Sequence, residues 1–572
     1  LIAGSLFYPK WDKSGTEATI SWDVSGYYFY LPAIFIYKDI KQLSFKDNIL
    51  PKYKPTPDFQ QAFLHESENY VLKYPVGQAI QMCPFFLLGH LYAISSEVYP
   101  ADGFSQPYQV SIYIGGFLIA FIGLFYLQEI LNMFYSDIVS AWTLILLVLC
   151  SNYLEYAGIT NAMTHNNLFT LYALLIYNTI KFYEKYSWKN LCLIALIIGL
   201  MALTRPTEII AAIIPLCWGL KKVNLSSILE RFSFLITHRN KVGIAIILVG
   251  LLGSIQLIYW KYVSGDIFVY SYEDQGFSWS HPHIIDGLFS YKSGWLIYSP
   301  IYFFAVPGFY YLLKKNRAVF WPSIIFLSVF IYVAFAWDIW WYGGSLGQRT
   351  MVQTYPIVAL PLAAFIEKVS LNKVYKFLFI SICCLFVYFN IWLIYQAHGG
   401  GLIRVSQMTK GYFWEVVGKY EIDRDKLKLL DNKDFYEGVP ASSTVLYSND
   451  FEALLDSCFS APISGKGSLC LPGGENFSPE FRVEFSDQSN QWIRATATFQ
   501  ASSKEWDVWK MPQFIVKFYS GNKEIKARSI RLHRHLDNSN IKQIYMDAKI
   551  PKKSFDHIGI FFWNPGSSHS LM

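Results

Sequence analysis

Between residues 108 and 395 the chain returns repeatedly to apolar runs close to bilayer-spanning length, separated by short gaps. A backbone in hydrocarbon must satisfy its own hydrogen bonds, so this stretch has to fold as a bundle of membrane-spanning helices. Composition agrees. The chain is 53% hydrophobic and 16% charged, where a soluble chain carries about a quarter charged residues. After residue 440 the pattern becomes that of an ordinary soluble domain, so two compartments are expected.

Apolar runs of helical length place spans near 108–127, 139–153, 165–182, 191–204, 208–220, 242–260, 296–313, 318–336, 351–366 and 377–395. The apolar residues Leu1 to Phe7 read as the end of a first helix, not a cleaved signal peptide, which makes about eleven spans. Strict alternation puts four basic gaps (181–190, 221–241, 314–317 and 367–376) on one side, read as cytoplasmic. The cations are spread among these gaps rather than gathered in one stripe, so a nucleic-acid partner is not expected. The first loop (8–107) and everything after 395 fall outside. The expected organisation is a transmembrane unit over 1–395, a polar connector over 396–440 and an extracytoplasmic domain over 441–572.

Within the first loop, the aromatic run Tyr27 to Tyr37 is too short to span and suits a segment lying at the membrane interface. Residues 76–98 suit a lateral helix or a hairpin, broken at Pro75 and Pro84. Past residue 440, alternating stretches at 481–485, 492–499, 514–518 and 558–563, separated by turn residues, predict a β-sandwich. Cys83, Cys150, Cys192, Cys217, Cys383 and Cys384 lie in or beside apolar runs and read as small buried hydrophobes. Cys458 and Cys470 in the tail are a candidate disulfide if the tail is extracytoplasmic.

Asp23, just before the aromatic segment, is the strongest candidate for chemistry: a carboxylate at the water–lipid boundary can take a proton from an acceptor hydroxyl or amine. Capping a helix N-terminus is its alternative role. Lys73, Arg205 (between two short spans, before Pro206) and Arg349 are three cations at the outer helix ends, where they suit the phosphate of a lipid. Snorkelling, or pairing with a carboxylate such as Glu155 or Asp338, is the alternative for each. His65, His165, His281 and His283 show no i, i+4 ligand spacing, so no metal is expected and substrate contact or loop structure suits them better. The run Trp337 to Tyr342 reads as an interfacial belt or a wall for a sugar ring. No Walker pattern or Gly-rich phosphate loop is present, so nucleotide chemistry has no support.

From about residue 15 to 395 these elements resemble the polytopic GT-C glycosyltransferases, in particular the branch of protein O-mannosyltransferases and the lipid A aminoarabinose transferase. Asp23 followed by Tyr27, Tyr28 and Tyr30 is similar to the family's acidic residue before a Tyr-rich juxtamembrane helix. Lys73-Tyr74-Pro75 resembles a Lys-Pro-Pro motif whose lysine approaches the donor phosphate. Leu203-Thr204-Arg205-Pro206 resembles a Leu-Thr-Lys-Gly motif, and Arg349 with Tyr355 and Pro356 resembles an Arg followed by Tyr and Pro before a late span. The chain departs in lacking a second acid beside Asp23, so neither an Asp-Glu pair nor an Asp-x-Asp is present there. Its tail is unlike the family's inserted modules and closer to carbohydrate-binding, jelly-roll-like sandwiches.

The resemblance implies transfer of a sugar from a polyprenyl-phosphate donor to a protein, lipid or glycan acceptor on the outer face of a bacterial cytoplasmic membrane. Asp23 is implied as the base, Lys73, Arg205 and Arg349 as phosphate ligands, and no cofactor is required. Trp22, Tyr27, Tyr28, His165, His281, His283, Trp341 and Tyr355 are expected to line the substrate pocket. Inversion at the anomeric carbon is the expected stereochemistry. An oligosaccharyltransferase or ligase using a diphosphate-linked oligosaccharide, and a transporter or flippase with a sugar-binding domain, remain as alternatives.

Overall fold

The computed structural model describes the chain except residues 273–274, 437, 454–461, 488–490, 504–509 and 537–540. Two units emerge, Leu1–Gly399 and Gly400–Met572.

Among the described residues of the first unit, five helical stretches are long and apolar enough to cross a membrane: Gln106–Asn132, Arg239–Ser264, Arg317–Ala336, Arg349–Ser370 and Lys373–Gly400. The helices Asp137–Leu149 and Trp188–Thr204 are apolar but shorter. Thr164–Lys185 is as long as the spans yet carries His165, Asn166, Asn167 and Thr170, all buried. A helix enclosed by its neighbours can hold polar groups that a lipid-facing one cannot. Two expected runs are interrupted. Residues 296–313 divide into Trp295–Tyr298, a 3₁₀ turn Pro300–Phe304 and Ala305–Lys315, and 208–220 into a 3₁₀ segment Pro206–Ala212 and Ile213–Cys217. In both, a proline without an N–H opens the tighter turn.

The four basic gaps meet at one end of this unit. Lys315 pairs with Glu367 (2.6 Å), Lys241 donates to the Tyr186 carbonyl (2.6 Å), Arg231 donates to the Tyr183 hydroxyl (2.8 Å), and Trp321 donates to the Lys221 carbonyl (3.1 Å). Alternation of the helices therefore sends the connections bearing Asp23, Lys73 and Arg349 the other way.

The first loop is a folded layer, which corrects one expectation. The aromatic run forms short helices Trp22–Tyr28 and Tyr30–Phe35 whose Tyr27, Tyr28, Phe29 and Tyr30 are buried, while Ile34 and Phe35 stay exposed. Three hydroxyls of the run find a carbonyl inside the protein, Tyr28 at Gly103, Tyr30 at Tyr74 and Tyr37 at Asp102, which lets those rings be buried. Residues 76–98, expected to be broken at the prolines, are not. Gly77–Ser95 is one helix with Pro84 inside, burying Ala79, Met82, Phe86 and Ala93 and exposing Leu87, Leu88, Leu91 and Ile94. A hairpin of β1 (Ala62–Leu64) and β2 (Tyr70–Leu72) precedes it.

In the second unit, β3 (Gly474–Phe477), β9 (His557–Ser567), β6 (Gln513–Ser520) and β7 (Lys523–Arg531) form one antiparallel sheet in that order, with β4 (Phe481–Glu484) also on β9. A second sheet pairs β5 (Trp492–Gln500) with β8 (Ile541–Lys549). Phe499, Ile544 and Met546 from this pair share an apolar cluster with Phe514, Phe518, Ile558 and Phe562 of the larger sheet. The segment 401–440 is tied to the same unit by Asp431 to Arg531 (2.6 Å) and Asp434 to Arg528 (2.9 Å). Cys470 is disulfide-bonded, and Cys458 lies outside the described residues. The other six cysteines are free; Cys150 and Cys383 are buried and Cys384 is exposed.

Candidate functional site

Asp23 sits in the first turn of helix Trp22–Tyr28, behind a residue whose backbone is strained. Trp22 takes φ 49° and is pinned by its N–H to the Pro55 carbonyl (3.0 Å). A bulky residue in the left-handed region is held there by its surroundings, and here it aims the following side chain. The Tyr74 hydroxyl donates to Asp23 Oδ1 (2.9 Å) and Arg349 Nη2 donates to Oδ2 (2.6 Å). The Asp23 side chain remains 30% exposed and Arg349 16%. Burial pushes the Asp23 carboxyl up, but Arg349, the Tyr74 hydroxyl and Lys73 outweigh it and hold the group below the usual aspartate value. It is a carboxylate at neutral pH.

Tyr74 is placed by two close approaches. Gly26, three residues past Asp23, leaves room for its ring: a Cβ there would stand 2.4 Å from the Tyr74 ring carbons. Tyr27 stacks on the same ring at 4.4 Å. Lys73 is held by its backbone N–H to the Gln61 carbonyl (3.0 Å) and its carbonyl from the Ser271 hydroxyl (2.6 Å), while Gln61 donates to Ser25 of the Asp23 helix (2.9 Å). Lys73 Nζ lies over the Tyr272 ring at 5.8 Å.

Gly77 brings this loop against the segment carrying Arg205. A Cβ on Gly77 would lie 2.4 Å from the Thr204 backbone nitrogen and 2.5 Å from the Leu203 carbonyl carbon. Both are main chain and neither can swing aside. Gly77→Ala should therefore cost about 1–3 kcal/mol and separate Lys73 from Arg205. Thermal unfolding of the purified protein checks the first effect, and a wild-type midpoint would contradict it.

Arg205 follows the last turn of helix Trp188–Thr204, its guanidinium 5.3 Å from the Tyr342 ring. Tyr342 is itself in the left-handed region (φ 53°), followed by Gly343 at φ 68°. The Tyr27 phenol is within electrostatic reach of Asp23, Arg205 and Arg349, as is that of Tyr272, and Lys73 acts on Asp23 and lies against the Tyr272 ring, so the four charged groups are neighbours. Burial pushes the Tyr27 phenol up to about 12, which keeps it a neutral donor. Among the described residues neither Lys73 nor Arg205 forms an ion pair, and Asp23 is the carboxylate paired with Arg349. Three cations thus meet the Asp23 carboxylate, with Glu208 buried behind Arg205. Such a place suits a phosphate and, next to it, a group about to lose a proton.

The structure does not bring all expected pocket residues here. Tyr28 is fully buried, with its hydroxyl given to Gly103 and its ring against Phe86 and Phe104, so it has no surface to offer a substrate. Tyr355 is likewise fully buried, and its hydroxyl donates to Asn152 Oδ1. The Asn152 amide in turn donates to the Leu346 and Gln348 carbonyls (3.2 and 3.3 Å), which makes Tyr355 a strut for the loop that presents Arg349. His281 is exposed, 2.9 Å from the Ser280 hydroxyl, and His283 uses its backbone N–H on the Phe335 carbonyl with its ring 6.4 Å from Trp340. The Trp341 ring carries Lys292 Nζ 3.3 Å above its centre. None of these three is shown against the four charges. His165 lies closer, with Arg205 and Arg349 within electrostatic reach of its imidazole. Among the described residues no three His, Cys, Asp or Glu side chains gather as metal ligands.

Sequence reasoning missed Glu208, Gln353 and Tyr172, all buried near this space. Glu208 had a signal available, as an acid three residues after Arg205 at the start of an apolar run.

Residues 104–251 match the family model of dolichyl-phosphate-mannose-protein mannosyltransferase. That stretch contains His165, Arg205 and Glu208, while Asp23, Lys73 and Arg349 lie outside it. The resemblance read from the sequence is thus met by an independent match. Among solved structures the chain is similar to ArnT from Cupriavidus metallidurans in the apo state, at 10% identity and TM-score 0.40, over 64% of this chain. The match spans 58% of that protein's length. A search of curated proteins returned no match.

Proposed function

We propose that the chain is a membrane glycosyltransferase that moves a sugar from a polyprenyl-phosphate donor to a protein, lipid or glycan acceptor on the outer face of a bacterial cytoplasmic membrane. The observation that carries the reading is the Asp23 carboxylate, held between Tyr74 and Arg349 and surrounded by Lys73 and Arg205 on separate segments. The spans give a lipid donor its solvent, and the match to a mannosyltransferase family supports the reaction class.

In this scheme Asp23 takes the proton of the acceptor hydroxyl or amine as that atom bonds to the anomeric carbon. The bond from that carbon to the phosphate oxygen breaks, and polyprenyl phosphate leaves. Arg349, Lys73 and Arg205 neutralise the charge that builds on the leaving oxygen, which is where fixed cations in a water-poor site lower a barrier most. A single displacement needs one base and inverts the carbon.

Lys73→Ala should raise the donor KM about tenfold or more and leave the acceptor KM within about twofold, since it removes one charged hydrogen bond to the phosphate. Steady-state kinetics in reconstituted vesicles separates the two constants. An equal rise in both would remove Lys73 from the phosphate site. The mass of lipid co-purifying from native membranes tests the donor: a sugar on a monophosphate supports the scheme, and an oligosaccharide on a diphosphate overturns it.

A further inference from the structure

Two buried side chains beside Arg205 take no part in this scheme. Glu208 is 2% exposed and both its oxygens are occupied: the Tyr172 hydroxyl donates to Oε2 (2.6 Å) and Gln353 Nε2 donates to Oε1. Gln353, fully buried, turns its other end to His165, with Oε1 3.0 Å from Nδ1. His165 is 2% exposed.

With Glu208 ionised beside the Arg205 guanidinium, the order of donors along this chain follows. A carboxylate accepts and cannot donate, so the Gln353 amide must face Glu208 with its NH₂ group and His165 with its carbonyl. A carbonyl likewise cannot donate, so the imidazole proton must be on Nδ1. In the neutral ring Nε2 then carries the lone pair. A buried carboxylate thereby fixes, through one amide, which nitrogen of a distant histidine can accept a hydrogen bond. Among the described residues nothing donates to Nε2, and the charged groups the ring feels are the two guanidiniums proposed to hold the phosphate. What lies next to a donor's phosphate is its sugar, whose hydroxyls are donors.

We infer that His165 Nε2 accepts a hydrogen bond from a hydroxyl of the transferred sugar, and that Glu208 and Gln353 are positioning residues that hold His165 in the accepting tautomer. The inference rests on the glycosyl-transfer reading and adds how the sugar is selected. A sugar lacking that hydroxyl leaves a buried acceptor unpaired and is rejected for that reason.

The test uses the full chain in lipid nanodiscs. The probe is whichever sugar phosphodecaprenol stabilises the wild-type protein most in a thermal-shift panel of hexose and pentose derivatives, together with its monodeoxy analogues. Wild type should bind one analogue about tenfold or more weakly than the parent. His165→Ala and Glu208→Leu should both bring that ratio close to one, while in His165→Ala affinity for decaprenyl phosphate alone stays within about twofold. Glu208→Leu should add nothing further in the His165→Ala background, as expected of groups acting in series. Gln353→Leu breaks the same chain without touching a charge and should reproduce the pattern if the Glu208 variant folds poorly. The inference is overturned if every analogue is discriminated equally by wild type and His165→Ala, or if Glu208→Leu has the same effect with and without His165. Failure of the transfer reading shows elsewhere, as a wild-type protein that moves sugar from none of these polyprenyl-phosphate donors to an acceptor.

Discussion

Asp23→Asn should fold normally, bind donor at least as well as wild type, and transfer sugar about 10²–10⁴ times more slowly, the range expected for loss of a general base. Folding is preserved because an asparagine can keep both hydrogen bonds. Its carbonyl oxygen can accept from Arg349, and its amide can donate to the Tyr74 hydroxyl, which then acts as acceptor in place of the 2.9 Å bond it now donates. Donor binding is preserved because the change removes the one carboxylate that competes with phosphate for Arg349. The signature is therefore a split, with kcat collapsing while donor KM holds or falls. Steady-state kinetics in vesicles decides it. A higher donor KM with unchanged kcat would make Asp23 a binding group, and unchanged turnover would falsify its role as the base.

The membrane unit was legible because lipid imposes a strong rule. Runs such as 242–260 and 318–336 have no other use, and the structure extends them to Arg239–Ser264 and Arg317–Ala336. Asp23, Lys73, Arg205 and Arg349 stood out for the same reason, since charges at the outer ends of spans have few places to go. Hidden from the sequence was the direction in which an aromatic side chain points. Tyr27 and Tyr28 are neighbours in one helix, yet Tyr27 stacks over Tyr74 at the site and Tyr28 faces the core of the loop. Tyr355 read as a pocket wall because it follows Arg349, whereas its hydroxyl is spent on Asn152, 203 positions away in sequence. Glu208 and Gln353 were overlooked because each reads as an isolated polar residue until the fold joins it to Tyr172 and His165. The clearest lesson comes from Tyr74. It marks the departure of Lys73-Tyr74-Pro75 from a Lys-Pro-Pro motif, and it is the residue that donates to Asp23.

Arg349→Ala should do two separable things. It removes a guanidinium from the proposed phosphate site, so donor kcat/KM should fall by about 10²–10³, as for other donors aimed at developing charge. It also changes the base. Burial drives the Asp23 carboxyl pKa up and Arg349 is the foremost influence holding it down, followed by Tyr74 and Lys73. With Arg349 gone, the desolvation that remains is opposed by less, and the pKa rises. Transfer needs the ionised carboxylate, so activity is lost as pH falls through that pKa. In wild type this acid limb lies below the usual aspartate value; in Arg349→Ala it moves to higher pH. Arg349→Lys keeps a charge but loses the planar fork, so its limb should fall between the two. A pH profile of kcat/KM for the three proteins measures the effect. A limb at the same pH in all three would mean that the 2.6 Å ion pair does not govern the group that titrates, and that a residue other than Asp23 takes the acceptor's proton.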